Sequence, residues 1–354
     1  MYRTWAREAP RAARACLLIG LATTMSACLG GSERAGGDPA GPPAARNAGP
    51  AAGAHRAFTD EAKIFVVSAA GGRASALTGS AHATVAEAGD ERHGEGGDDA
   101  HEEIQVDNPI WSPDGSRLAF TRTSCEYCAP ELFVMTPDGS RQERLANVDN
   151  AFQPTWSPSG RRLAFLLPGV EGGIYSLRVP AGRPRLVMRE AAAIEAPAWS
   201  PDGGRIAFAR QREPTNWDLY AIGASGRGLR QLTRAAAQET TPAWSPDGRR
   251  IAYARQLAGG NWAIEVMNEK GSWRRRVTPR RVSAVEPTWS PDGRRIAFTL
   301  QPRHDRSAVA VVNVAGGRIR RLTDESLFAT QPDWSPTGRT IAFAARELVG
   351  GSRN

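Results

Sequence analysis

The sequence is nearly without lysine and short of the residues from which most active sites are built. Lys63 and Lys270 are its two lysines among 45 basic residues, so the excess over 37 acids, a net charge of +8, is almost all arginine. Enrichment in arginine and alanine is the usual product of a GC-rich genome. The arginines are scattered through turn-like stretches rather than gathered into an aromatic-interleaved patch, so no nucleic-acid partner is expected. Histidine occurs five times, and within the repeats described below only His304 remains; Gly-x-Ser-x-Gly does not occur. A Ser-His-Asp triad therefore has almost no material, and the chain reads as a non-enzyme. The apolar run Ala15 to Met25 would rise about 16 Å as a helix, too little for a hydrocarbon core of about 30 Å. No hydrophobic period of 3.6 recurs, which disfavours a helical solenoid.

What is present is one motif in six copies, marked by Trp111, Trp156, Trp199, Trp244, Trp289 and Trp334 at spacings of 45, 43, 45, 45 and 45 residues. Each copy has proline two residues before the tryptophan, Ser-Pro after it and glycine four residues on, then Leu or Ile, alanine and an aromatic, as in Ile251-Ala252-Tyr253. Ser-Pro-Asp-Gly is turn chemistry, because proline presets φ, aspartate bonds the backbone ahead and glycine accepts positive φ. The consecutive apolar triplet predicts a strand buried on both faces, with the alanine admitting a close neighbouring sheet. A second hairpin follows in each copy, such as Asp218 to Ile222 with Leu229 to Thr233, so each repeat supplies four short strands, one propeller blade.

The last tryptophan is followed by a first hairpin only, and an orphan second hairpin, Lys63 to Val67 with Ala74 to Thr78, precedes the first. Together they make one blade. The prediction is an all-β, six-bladed propeller of four-stranded antiparallel blades over residues 58–348, the last blade closed by strands from both termini so that no edge is left open.

Pro-x-Trp-Ser-Pro-Asp-Gly-x-x-Ile-Ala-Phe with a Leu-Thr ending resembles the repeats of the TolB-type six-bladed propellers, the periplasmic component of the Tol–Pal envelope system. The same repeat type occurs in propeller domains of prolyl-oligopeptidase-like enzymes. The resemblance covers about residues 60–346 and implies a periplasmic interaction scaffold. It stops short of the small α/β domain that precedes the TolB propeller, for which residues 29–57 are too few and too poor in apolar groups.

Residues 1–28 read as a lipoprotein signal. Arg3, Arg7, Arg11 and Arg14 precede the apolar run, and Met25-Ser26-Ala27-Cys28 resembles a lipobox with Cys28 as the lipidated residue. The alternative is an ordinary cleaved signal with Cys28 incidental. Residues 29–57, mostly Gly, Ala and Pro, read as a disordered tether, and residues 349–354 as a tail. The expected location is the bacterial cell envelope, lipid-anchored at the outer membrane or at the outer leaflet of the plasma membrane.

Functional candidates are sought where the template is broken, since anything present six times is scaffold. An insertion at residues 81–103 is acidic and Gly-rich; Asp98, Asp99 and His101 have the chemistry for a divalent metal, but the composition is that of a disordered loop, so no cofactor is assigned. Cys125 and Cys128 in an exported chain are expected to form a local disulfide. The residues three before each tryptophan, Asn108, Gln153, Ala196, Thr241, Glu286 and Gln331, are placed at the channel mouth, and the polar five are binding candidates.

The preferred function is a monomeric envelope-anchored scaffold binding an envelope protein, peptide or other ligand. The competing readings are a hydrolase or lyase with a metal-assisted site at the mouth, and a glycan-binding propeller using Trp217 and Trp262. Each of these lies 18 residues after a repeat tryptophan, an offset that suits packing.

Overall fold

The structure, a computed structural model, describes residues 61–78, 104–125, 128–169, 171–303 and 306–348. Contacts divide the chain into Met1–His55 and Arg56–Asn354, and every described residue belongs to the second unit.

That unit is a six-bladed propeller of four-stranded antiparallel sheets. The innermost strands end on the repeat tryptophans: β3 (Gln105–Trp111), β7 (Phe152–Trp156), β11 (Ile194–Trp199), β15 (Glu239–Trp244), β19 (Ala284–Trp289) and β23 (Leu327–Trp334). After the Ser-Pro turn come β4 (Leu118–Thr123), β8 (Arg162–Leu167), β12 (Arg205–Glu213), β16 (Arg250–Gln256), β20 (Arg295–Arg303) and β24 (Thr340–Glu347). The third strands are β5 (Glu131–Met135), β9 (Gly173–Arg178), β13 (Asn216–Gly223), β17 (Trp262–Asn268), β21 (Arg306–Asn313) and β1 (Lys63–Ser68). The outer ones are β6 (Glu143–Asp149), β10 (Arg185–Arg189), β14 (Arg230–Gln231), β18 (Arg274–Arg276), β22 (Arg320–Arg321) and β2 (Ser75–Ala76). Blades 1 to 5 follow the chain, and blade 6 has the order β2-β1-β24-β23, with Phe65 opposite Phe343. The ring is thus closed by strands from both ends, as the repeat count predicts.

Burial accounts for the template. In all six copies the apolar triplet of the second strand is 0% exposed, from Leu118-Ala119-Phe120 to Ile341-Ala342-Phe343. Burying one such phenylalanine is worth roughly 2–3 kcal/mol. In four blades the triplet aromatic stacks on an aromatic of the third strand, with centroids between 5.6 Å (Phe120–Phe133) and 6.3 Å (Phe165–Tyr175). The motif serine is also consumed by the scaffold: Ser245 Oγ accepts from Arg250 N at 2.9 Å, and the same bond recurs from Ser112 to Ser335 in every copy. Motif arginines lie over the tryptophan of the next blade, Arg205 on Trp244, Arg250 on Trp289 and Arg295 on Trp334, at 4.8–4.9 Å.

Candidate functional site

The six residues three before each tryptophan share one backbone state. Asn108, Gln153, Ala196, Thr241, Glu286 and Gln331 all have φ between 48° and 54°, the left-handed region. Each marks a register shift between the inner and second strands, as between Asp107 and Ile110. Holding a non-glycine residue there costs about 1–2 kcal/mol. They therefore lie inside the inner strands, at a bulge.

The bulge turns these side chains toward the neighbouring blade. Gln153 Oε1 accepts from Ala196 N at 2.7 Å, Gln331 Oε1 from Asn108 N at 2.7 Å, and Glu286 Oε2 from Gln331 N at 2.8 Å. In each case the side chain of one blade holds the equivalent backbone amide of the next. Three of the five binding candidates, Gln153, Glu286 and Gln331, are thus also fasteners of the ring. Thr241 Oγ1 has no hydrogen-bond partner among the described residues.

A second set of residues was not legible as a site. Asp107 and Glu195 stand four before their tryptophans, where other copies have Phe152, Thr240, Val285 and Thr330, and Asp333 directly precedes Trp334. The departure from an apolar or neutral template position is the signal that could have found them. Burial holds the Asp107 carboxyl up at about 6, opposed by Arg346 and reinforced by Glu286. Burial likewise raises Glu195 to about 7, again with Glu286 adding to the rise. Asp107, Glu195 and Glu286 come from the inner strands of blades 1, 3 and 5, and the charge of Glu286 adds to the rise at both of the others. Glu195 is 7% exposed, and its Oε1 has no partner among the described residues. Glu286 is also raised by burial, against hydrogen bonds from Thr299 Oγ1 at 2.6 Å and Gln331 N.

Nearer the turn end, burial raises Asp333 to about 7, although it accepts from Trp111 N at 2.8 Å and Thr288 Oγ1 at 3.1 Å. These bonds again tie blade 6 to blades 1 and 5. A separate polar cluster replaces the aromatic stack in blade 4: Tyr253 donates to Glu265 at 3.0 Å, and Glu239 meets Arg274 at 3.3 Å and Arg255 at 3.6 Å. Glu239 and Tyr253 are fully buried, so this cluster acts as packing between blades 3 and 4.

Cys125 and Cys128 are disulfide-bonded, with Cα atoms 5.0 Å apart. They follow β4, at the strand end opposite the Ser-Pro turns and so on the mouth side. Trp217 and Trp262 are each 6% exposed and packed into inter-blade cores. Cys28, the tether, the insertion with Asp98, Asp99 and His101, and His304 lie outside the described residues. Among the described residues no three His, Cys, Asp or Glu side chains stand close enough together to hold a metal ion.

Six closed four-stranded blades whose inner strands are fastened to one another define the class as a six-bladed β-propeller. Residues 122–347 match the TolB beta propeller domain (PD40), and the chain belongs to that family. No curated protein matches the sequence. Among solved structures it is similar to a TolB-assigned protein of Agrobacterium tumefaciens, at 20% identity and a TM-score of 0.64, covering 81% of this chain and 99% of that one. It is also similar to TolB of Acinetobacter baumannii, at 18% identity and TM-score 0.51, covering 69% of this chain and 64% of that one. The tricorn protease shares the fold at 15% identity and TM-score 0.53, over 70% of this chain and 26% of the protease. At these identities the likeness is one of fold.

Proposed function

We propose that the protein is a non-enzymatic propeller scaffold of the bacterial cell envelope, held there through Cys28, that binds a cationic segment of an envelope protein at its channel mouth. Membership in the TolB propeller family supports the compartment and the role. The observation that carries the reading is that the inner strands of blades 1, 3 and 5 carry the acids Asp107, Glu195 and Glu286 where the other copies have neutral residues, with one Glu195 oxygen unpartnered. A lysine, arginine or terminal amine entering there would complete those carboxyls. Because burial holds Asp107 at about 6 and Glu195 at about 7, binding strengthens as pH rises through that range.

Crosslinking in the native envelope from a photo-reactive residue at Asn108 or Thr241 tests this. One stoichiometric partner is expected, captured less by a Glu195→Gln, Glu286→Gln double variant. Equal capture by that variant, or absence of a partner together with measurable turnover of a substrate, overturns the proposal.

A further inference from the structure

The outer strands of blades 2, 3 and 4 carry a surface that the channel does not use. Among the described residues the exposed large apolar side chains are Leu186 (46%), Leu229 (47%) and Trp273 (49%). They fall on successive blades, each within two residues of the start of its outer strand, β10, β14 or β18. The blades press these strands into a continuous row. A Cβ on Gly226 of blade 3 would lie 2.3 Å from the Val187 carbonyl oxygen of blade 2, and one on Gly271 of blade 4 would lie 2.0 Å from that of Leu232 in blade 3. Arg230 also donates to the Lys270 carbonyl at 3.2 Å.

The same row is strongly basic. Residues 181–189, 223–234 and 268–278 contain ten arginines and lysines against a single acid, Glu269. Arg189 is paired with Glu171, and Arg274 with the buried Glu239. Arg183, Arg185, Arg227, Arg230 and Lys270 stand exposed beside the apolar groups. The counterpart in blade 1, residues 136–145, balances Arg141 and Arg144 with Asp138 and Glu143, and residues 68–78 of blade 6 contain Arg73 alone. Blade 5 continues the row with Arg318, Arg320 and Arg321 and no acid over residues 313–323, so the charge runs over blades 2 to 5 and lapses at blades 6 and 1. Arginines scattered in the sequence become a patch interleaved with apolar and indole groups, because the repeat returns each turn to the same end of the ring. That removes the ground on which the sequence alone argued against a polyanionic partner.

We propose that this row is a docking face for an anionic phospholipid leaflet. Guanidinium groups match the headgroup phosphates, while the leucines and the amphipathic indole of Trp273 suit the boundary between headgroups and acyl chains. The turns that carry the row bond to the Ser-Pro turns, as Ala224 N does to Gly204 O at 2.9 Å. Docking therefore occurs at the end of the ring away from the channel mouth and leaves the mouth open, whatever the mouth binds.

The test is flotation of the full chain carrying Cys28→Ser, so that no acyl chain contributes, with phosphatidylglycerol-rich and with phosphatidylcholine vesicles. Binding to the anionic vesicles alone is expected. An Arg185→Glu, Arg227→Glu, Arg230→Glu variant should weaken it by roughly a hundredfold, at about fivefold per lost cation. Leu229→Ser with Trp273→Ser should weaken it about tenfold. Arg280→Glu with Arg281→Glu, in the connection from blade 4 to blade 5 at the mouth end, should leave it unchanged. All these side chains are exposed, and an unchanged melting temperature confirms that each variant is folded. Failure to bind anionic vesicles, equal binding by the row variants, or preference for a DNA duplex with no effect of the leucine and tryptophan changes would each overturn the proposal.

Discussion

The two ends of the propeller come from the same six repeats and keep different things constant. At the turn end the side chains themselves recur: serine Oγ takes the same backbone amide in every copy, and each motif glycine lies against a proline of the preceding blade, so that a Cβ on Gly248 would come within 3.2 Å of Pro201. At the mouth end only the backbone recurs. Six residues share a φ near 50° while their side chains run from alanine to glutamate. The shared backbone state accepts several side chains, and Gln153, Glu286 and Gln331 use theirs to hold the next blade. Variation is therefore admitted at the inner-strand bulge.

The comparison breaks most severely at the scaffold. Phe298→Ala empties a site that is 0% exposed, and a loss of about 3–5 kcal/mol is expected in urea unfolding. Next comes pH. A carboxyl whose folded pKa is raised binds its proton more tightly in the folded chain, so its stabilising share is present at low pH and is lost as pH rises from about 4 through its folded value. With Asp107 at about 6 and Glu195 and Asp333 at about 7, thermal stability should fall as pH rises from about 5 to about 8. Glu195→Gln should flatten that slope, and a slope unchanged by it would place the titration elsewhere.

Smaller effects sharpen the contrast. Gln331→Ala removes the acceptor for Asn108 N and should cost about 1 kcal/mol, while Thr241→Ala, whose hydroxyl is unpartnered, should cost almost nothing in the same calorimetric scan. Arg250→Ala removes a contact with the Trp289 ring at 4.8 Å and should cost about 0.5–1 kcal/mol, reduced little by salt if the packing of the stem dominates.

The architecture was legible because each part of the template has a local cause. Proline and glycine dictate the turn, the Leu/Ile-Ala-aromatic triplet dictates a doubly buried strand, and the two half-repeats at Lys63 to Thr78 and after Trp334 dictate how the ring closes. The mouth was legible only in outline. The sequence placed Asn108, Gln153, Thr241, Glu286 and Gln331 there, but their left-handed bulge and inter-blade bonds arise from contacts some 45 residues apart or, for Gln331 and Asn108, 223 apart. The raised carboxyls of Asp107 and Glu195 follow from burial and from the charge of Glu286 on another blade, which no stretch of sequence shows.

By itself, then, the sequence determined the number of blades, their strands and their closure, since those follow from periodicity and short-range turn chemistry. Only the tertiary structure decided which inner-strand side chains fasten neighbouring blades and that arginines from three separate outer strands form one surface with Leu186, Leu229 and Trp273. Closing a ring sets residues of different repeats side by side, and charge and burial act through space rather than along the chain.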